Sequence, residues 1–361
     1  MHTVLYENHR ALGAKIIDFG GWEMPVQYKG IIEEHQAVRK HVGIFDVSHM
    51  GRIYVEGLGA EALLDYLSTN QIAGKKDGTA TYTVWCTDSG MCVDDLIIYR
   101  ESSSKFFIVV NAGNREKDLR HLLHYSVTRD VIINDRFNED GILALQGPDA
   151  LPLISKLFPN AQSLKSMHFI TENFENENIV ISQTGYTGAG GVEIYATNAV
   201  IVKLWEKLLD AGKEFGIEPV GLGARDTLRL EMGFALYGHE LSETIAPTET
   251  VSSWTIKWNK PDFLGKHALE SLEKTKKKRR EYGIVLTGKG VIREGYPVFQ
   301  HGKQIGRVTS GTFSPSLQHS IAIVLVDNNL NIGDSVDIQI RQNLCPAKVV
   351  HLPFIGTVRH H

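Results

Sequence analysis

Residues 18–28 read Asp-Phe-Gly-Gly-Trp-Glu-Met-Pro-Val-Gln-Tyr, and this stretch decides how the rest of the chain is interpreted. Two stretches of the same character follow it, Glu-His-Gln-Ala-Val-Arg at residues 34–39 and Gly-Ile-Phe-Asp-Val-Ser-His-Met-Gly at residues 43–51. Their density of glycine, aromatic and polar residues is more than core packing requires. They therefore indicate a functional site built partly from the N-terminal region.

The overall composition limits the class of protein. With 361 residues the chain is too long for one compact core of typical size, so we expect two or three globular units. A formal net charge of -4 favours neither nucleic acid nor a membrane surface as partner. The N-terminus lacks a signal-peptide pattern, and no apolar run approaches the ~20 residues of a membrane span. We expect a cytoplasmic protein.

Three cysteines, Cys86, Cys92 and Cys345, are too few for a disulfide framework, and their spacing is not that of a zinc site. No metal is predicted. The chain also lacks a Gly-rich dinucleotide fingerprint after a strand, a phosphate-binding P-loop, a Ser-nucleophile elbow and a HExxH motif. Nicotinamide, ATP and zinc-hydrolase chemistry therefore have little support.

Hydrophobic periodicity predicts an α+β mixture without a regular βαβ rhythm. Residues 60–67 place Leu63, Leu64 and Leu67 on one helical face, and residues 198–215 repeat the pattern. Short runs of branched and aromatic residues predict strands at 105–110, 142–146, 179–182 and 192–195. After about Phe263 the pattern changes to strands separated by turns, at 282–286, 305–309, 321–326, 336–340 and 347–350. Such a pattern is typical of a separate small all-β domain.

Residues 274–280 contain six basic residues in seven and precede the first strand of this all-β region. A solvated linker or the end of a helix is the simpler interpretation. A docking site for an acidic protein partner is the alternative.

The three N-terminal stretches resemble the signature of the glycine cleavage T-protein family, which are tetrahydrofolate-dependent aminomethyltransferases. The resemblance keeps its order along the whole chain. Further matches lie at residues 93–99, 109–118, 145–148, 184–188, 221–231, 236–238 and 309–315. Each match is weak alone, but together in one order they form a strong signal.

The resemblance implies an α+β fold arranged as a three-domain ring around a central funnel for folate. Residues 1–52 plus 141–262 would form a discontinuous first, folate-binding domain, and residues 53–140 an inserted α/β second domain that carries the catalytic aspartate. Residues 263–281 would be a linker with the basic cluster, and residues 282–361 a C-terminal small β-barrel.

The resemblance also implies a reaction. The family transfers a one-carbon unit from the aminomethyl-lipoyl arm of H-protein to tetrahydrofolate, giving 5,10-methylenetetrahydrofolate, ammonia and the dihydrolipoyl carrier. The expected partners are thus folate and lipoylated H-protein, which would dock on the basic residues Lys274, Lys276, Lys277, Lys278, Arg279 and Arg280. Two alternatives stay open: a folate-dependent demethylase of the same superfamily, and a non-catalytic folate-binding relative of the iron-sulfur assembly type.

The resemblance assigns catalysis to Asp95. A fixed carboxylate stabilises positive charge that develops as a C–N or C–S bond breaks, and it can exchange a proton near a folate nitrogen. The adjacent Asp94 competes for this role, but consecutive strand residues face opposite ways, so only one of them faces the funnel. Asp94 fits the alternative of an exposed strand-end acid or turn cap.

Folate binding is carried over to four further residues. Glu193 matches the position whose carboxylate pairs with the pterin ring, and the alternative is a strand acid that faces water. Tyr186 and Tyr82 match residues that line the folate. Arg225 would bind folate or its anionic tail, whereas without the resemblance it would form a helix N-terminal cap and local ion pair with Asp226.

Three more residues complete the predicted site. Asn111 and Met50 would form part of the funnel wall, although Met50 equally suits an ordinary core position. Arg359 would approach the same region from the C-terminal tail.

Overall fold

The computed structural model describes residues 1–275, 279–327 and 329–356. The helices are α1 (Tyr6–Ala11), α2 (Ile31–Lys40), α3 (Ala60–Leu67), α4 (Arg115–Ser126), α5 (Ala150–Leu157), α6 (Asn198–Ala211), α7 (Leu222–Glu231) and α8 (Lys266–Lys274). The strands are β1 (Lys15–Phe19), β2 (Trp22–Gln27), β3 (Gly43–Asp46), β4 (Gly51–Glu56), β5 (Thr79–Cys86), β6 (Cys92–Ser102), β7 (Lys105–Val110), β8 (Ile132–Asp135), β9 (Asp140–Gln146), β10 (Phe169–Phe174), β11 (Glu177–Ser182), β12 (Gly191–Thr197), β13 (Glu218–Pro219), β14 (Arg280–Leu286), β15 (Pro297–Gln300), β16 (Lys303–Ser314), β17 (His319–Val326), β18 (Ser335–Ile340) and β19 (Asn343–Val350).

A six-stranded sheet in the order β10-β11-β12-β9-β3-β13 joins segments that are far apart in the sequence. Its strand β3 pairs antiparallel with β9, so that Asp46 lies opposite Leu143. Helices α5 and α6 place Leu153, Ile154, Leu204 and Leu208 against this sheet, and these side chains are fully buried. Burial of such side chains stabilises the sheet by roughly 1.5–3 kcal/mol each.

The chain between β3 and β9 builds a second, five-stranded sheet in the order β5-β6-β7-β4-β8. Leucines of α3 and Leu122 of α4 are buried against it. A further buried cluster contains Phe107 and Tyr99 of this sheet together with Phe45 and Tyr195 of the six-stranded sheet. The two sheets therefore pack on each other, and the long strand β6 crosses the contact region.

Strands β14 to β19 form a closed barrel in the order β14-β17-β16-β15-β18-β19, and β19 returns to pair with β14. Its interior is filled by branched aliphatic side chains such as Ile284, Val308, Val324 and Ile338. Helix α7 packs against β16 and β17, so one helix contacts both the barrel and the N-terminal sheets.

The α+β fold class with a C-terminal β-barrel is confirmed. The helix predicted over residues 60–67 and the strand over 105–110 are found at the same bounds. The first strand predicted after Phe263, at 282–286, lies within β14 (Arg280–Leu286). The residues between Phe263 and this strand were not predicted to be helical, but Lys266–Lys274 forms helix α8. The bounds proposed for the individual domains remain a prediction.

No helix within the described ranges is both long and apolar enough to span a membrane.

Candidate functional site

The pairing of β5 with β6 decides which of the two adjacent aspartates faces the other predicted site residues. Val84 lies opposite Asp95 and Tyr82 lies opposite Ile97, so Tyr82 and Asp95 project from the same face of the sheet. Asp94 lies opposite the buried Trp85 on the other face, and its side chain is completely buried. The alternative of an exposed strand-end acid or turn cap is therefore wrong for Asp94.

The Asp95 carboxylate is held by two hydrogen bonds. Its Oδ2 accepts from the Tyr82 hydroxyl at 3.0 Å, and its Oδ1 accepts from Asn111 Nδ2 at 3.0 Å. The Tyr82 hydroxyl also lies 2.9 Å from Ser252 Oγ. Burial, followed by the charge of Asp94, raises the pKa of Asp95 to about 7. Such a carboxyl group exchanges its proton near neutral pH, where general acid-base catalysis is most effective.

A second group of predicted residues surrounds the Arg225 guanidinium. Its carbon Cζ lies 4.6 Å from the centroid of the Tyr186 ring, which also stacks on Phe234. Arg225 Nη2 lies 4.0 Å from Met50 Sδ. Among the described residues, Arg225 forms no ion pair with a carboxylate. It is therefore free to receive an anionic group.

Glu193 lies on β12 and is only 7% exposed, so the alternative of a strand acid facing water is wrong. Its Oε2 accepts from Thr184 Oγ1 at 2.5 Å and from the Tyr195 hydroxyl at 3.0 Å. Its Oε1 receives no hydrogen bond from the described residues. Because Oε2 is already occupied and Oε1 is not, Oε1 is the acceptor atom suited to the N–H groups of a ligand.

Electrostatic coupling shows that these groups share one region. Burial raises the pKa of Tyr186, and the charge of Asp95 raises it further. Burial lowers the pKa of Arg225, while the nearby Glu193 opposes this change. The structure thus brings together Asp95, Tyr82, Asn111, Tyr186, Arg225, Met50 and Glu193. Arg359 lies outside the described residues.

The interpretation of Arg225 and Asp226 as a helix cap with a local ion pair is wrong. Helix α7 begins at Leu222 after Gly221, so both residues lie inside it. Asp226 Oδ1 pairs instead with Arg229 at 2.8 Å.

Two aromatic side chains at the site were not identified from the sequence. Trp254 is 59% exposed and stacks on Tyr82, with 5.7 Å between ring centroids. His49 is buried beside Arg225, its Nδ1 has no hydrogen-bond partner in the described part of the chain, and its pKa is lowered to about 4 by burial and by Arg225. His49 lies in a quoted stretch, which is a weak signal, whereas nothing local distinguishes Trp254.

In the described ranges, no three His, Cys, Asp or Glu side chains converge in the manner of metal ligands.

The basic cluster at residues 274–280 is divided between different environments. Arg279 forms a two-pronged ion pair with Glu249, and Arg280 pairs with Glu273 at 2.7 Å. Lys274 is exposed at the end of α8. Lys276, Lys277 and Lys278 lie outside the described residues.

Known proteins resemble this chain over its whole length. A family model for the GCVT N-terminal domain matches residues 5–260, and one for the glycine cleavage T-protein C-terminal barrel domain matches residues 279–355. The aminomethyltransferase of Chlorobium luteolum is 46% identical over 360 residues, covering 98% of each chain. That of Chlorobaculum tepidum is 46% identical over 363 residues, covering 99% of each.

A solved structure also shares the fold of this chain over nearly its whole length. The crystal structure of glycine cleavage system aminomethyltransferase T from Bartonella henselae superposes with a TM-score of 0.92 at 33% identity. The match covers 99% of this chain and 98% of that one.

Proposed function

The chain belongs to the glycine cleavage T-protein family, and from this premise we propose that it transfers a one-carbon unit from the aminomethyl-lipoyl arm of H-protein to tetrahydrofolate. The observation that carries the proposal is similarity to curated aminomethyltransferases over at least 98% of both chains. Its activity is aminomethyl transfer, and its enzyme class is that of a transferase. The demethylase and the non-catalytic alternatives are not favoured.

Asp95 is the proposed catalytic residue. The transfer develops positive charge on the one-carbon unit as its bond to nitrogen or sulfur breaks, and a fixed carboxylate stabilises that charge. Tyr82 and Asn111 each donate a hydrogen bond to Asp95, which fixes the direction of its oxygens. With a pKa of about 7, the same group accepts or returns a proton at neutral pH.

Tetrahydrofolate supplies the nitrogen atoms that accept the one-carbon unit. Two observations support a fit: Glu193 has an acceptor atom without a donor, and Arg225 has no carboxylate partner within the described chain. Glu193 would take the N–H groups of the pterin edge, and Arg225 would hold an anionic group of the folate. Tyr186 and Tyr82 would provide aromatic surfaces, with Met50 at the wall.

Lipoylated H-protein is the proposed carrier partner. Within the basic cluster, Arg279 and Arg280 pair with carboxylates of this chain. We therefore expect the docking contribution of the cluster to come mainly from Lys274, Lys276, Lys277 and Lys278. Arg359 is a further proposed folate contact from the tail. Both proposals rest on the family resemblance.

The function is tested by measuring ammonia release from aminomethyl-loaded H-protein in the presence of tetrahydrofolate. We expect release to require both partners. Methyl transfer from a small donor without H-protein would instead indicate a demethylase. Folate binding without one-carbon transfer would indicate the non-catalytic alternative.

A further inference from the structure

Behind the proposed catalytic residue lies a second pair of acidic side chains. Asp94 projects from the face of β6 on which helix α4 packs, and Asp118 of that helix lies within the electrostatic reach of Asp94. Both side chains are completely inaccessible to solvent. A buried pair of carboxyl groups repels strongly unless one of them keeps its proton. The hydrogen bonds around the pair show which one does.

The available N–H donors point at Asp94. Asn111 donates its side-chain amide to Asp94 Oδ1 at 2.9 Å and its backbone N–H to Asp94 Oδ2 at 3.2 Å. Asn114 donates its side-chain amide to Asp94 Oδ1 at 2.6 Å. Asn114 occupies the N-cap position of α4, yet its side chain does not cap the helix. Burial raises the pKa of Asp94, and these three N–H groups oppose that shift and favour its ionised form.

Asp118 has no such donors. Neither of its oxygens accepts a hydrogen bond from the described residues. The ammonium group of the neighbouring Lys117 binds other partners: it donates to the Tyr237 hydroxyl at 2.5 Å and pairs with Glu243 at 3.5 Å. Burial and the charge of Asp94 raise the pKa of Asp118 well above its usual range. An ionised carboxylate in this position would receive no hydrogen bond from the described residues, and only the charge of Lys117 would favour it.

On the basis of the proposed function, we propose that Asp118 is a positioning residue: a neutral carboxylic acid that donates a hydrogen bond to Asp94 and holds Asp94 as the single fixed negative charge behind Asp95. Asn111 links the two layers, because its Nδ2 lies within 3.0 Å of both Asp94 Oδ1 and Asp95 Oδ1. With Asp118 protonated, Asp94 is the one negative charge of the pair, and this charge acts on the titration of Asp95.

Other charged and titratable groups face this arrangement from the surrounding elements. Tyr82 of β5 donates to Asp95, and Tyr186 and the buried Cys92 also lie within its electrostatic reach. Tyr237 faces Asp94 and Asp118 from the segment after α7. Burial raises the pKa of each of these three groups and keeps them neutral. Among charged groups, Asp94 therefore has the largest effect on the pKa of Asp95.

The first test reads the proton directly and does not require turnover. Carbon-13 NMR of the full chain labelled at the aspartate carboxyl carbons is recorded through neutral pH. We expect one resonance to stay at the position of a protonated acid, and to disappear in Asp118→Asn. Because Asp95 itself titrates near pH 7, the decisive spectra are those recorded above that pH. If every aspartate is ionised there, or if the protonated signal survives in Asp118→Asn, the proposal is overturned. The wild-type spectrum alone shows whether a protonated aspartate is present, even if the variant does not fold.

The second test uses the pH profile of aminomethyl transfer. Asp118→Asn replaces one neutral donor by another, so the midpoint of the acid limb should stay in place. Asp94→Asn removes the charge behind Asp95 and should move the midpoint to lower pH by about one unit. Asp118→Leu removes the donor and should lower kcat by about tenfold. A midpoint that moves equally in Asp118→Asn and Asp94→Asn would show that Asp118 is charged and would overturn the proposal.

Asp130→Asn is the matched control, because Asp130 is exposed and is not among the groups that shift the pKa of Asp94 or Asp118. Failure of the proposed function would be recognised separately. In that case the wild-type chain would show no transfer at all, while the NMR signal of a protonated aspartate would be unaffected.

Discussion

At the scale of single residues, Asp95 and its neighbour Asp94 have the same chemical group but opposite roles. Asp95 is partly accessible to solvent, and its carboxylate accepts hydrogen bonds from one hydroxyl and one amide. Asp94 is completely buried, and its carboxylate accepts only from N–H groups of Asn111 and Asn114 among the described residues. Their difference arises from strand alternation and from what packs on each face. The charge on Asp94 then contributes to the raised pKa of Asp95.

Asp95→Asn should lower kcat by roughly 10²–10⁴-fold with little change in the KM for folate. The asparagine keeps the size of the side chain but cannot carry charge or accept the proton. In the wild-type enzyme, kcat/KM should rise with pH and level off above about 7, because burial and Asp94 raise the pKa of Asp95 to that value. Steady-state kinetics across the pH range measure both effects.

Undiminished turnover of Asp95→Asn would remove Asp95 from the mechanism. Asp130→Asn again serves as the control, since it makes the same chemical change at an exposed position.

At the scale of elements, the polar residues of helix α7 contact two different regions, the proposed site and the C-terminal barrel. Arg225 faces the Tyr186 ring and the site. Arg229 is buried and bonds to Glu240 at 3.1 Å and to Ser310 of the barrel at 2.8 Å. Glu231 accepts from Ser314 and Ser316 of the same β16 end. One motif in the sequence thus contains both a residue of the proposed ligand site and residues that contact the C-terminal barrel.

Arg229→Met should destabilise the protein by about 3–5 kcal/mol, because it leaves the buried Glu240 without its cation. Thermal and denaturant unfolding measure the change, and adding Glu240→Gln should recover part of it. Arg225→Met is the matched control on the same helix. It breaks no ion pair with the described residues, so we expect it to raise the KM for folate while changing the free energy of unfolding by less than about 1 kcal/mol. Equal destabilisation by both variants would contradict this division.

At the scale of the whole molecule, a slightly acidic chain carries one dense basic segment between α8 and the barrel. Two of its arginines stabilise the chain itself through Glu249 and Glu273. The lysines of this segment are the residues proposed to steer an acidic carrier electrostatically.

Replacing Lys274, Lys276, Lys277 and Lys278 by glutamine should raise the apparent KM for H-protein severalfold and flatten its dependence on salt, because exposed charges act through a screened field. The KM for folate should not change. A control variant replaces the exposed lysines Lys15, Lys289, Lys303 and Lys348 by glutamine. If both quadruple variants behave like wild type at low salt, the cluster is a linker without a docking role.

Local patterns predicted the elements more successfully than the contacts between them. The helix over 60–67 and the strand over 105–110 follow from side-chain periodicity, which is a property of neighbouring residues. The helix α8 was missed because its short amphipathic pattern lies beside the basic run and packs through Leu269 onto residues far along the chain. The seven described site residues were reached through family resemblance, since none has a distinctive local signal.

The sequence by itself determined the family, the α+β class and the identity of the acidic and basic side chains, because order, periodicity and composition are written along the chain. Only the tertiary structure decided that Asp95 shares a face with Tyr82, that Asp94 faces the helix that carries Asp118, and that Arg225 has no carboxylate partner among the described residues. These features depend on burial and on distances between segments that are far apart in the sequence, such as those of Met50 and Arg225. Solvation and Coulomb energies act through space, so they emerge only when the chain has folded.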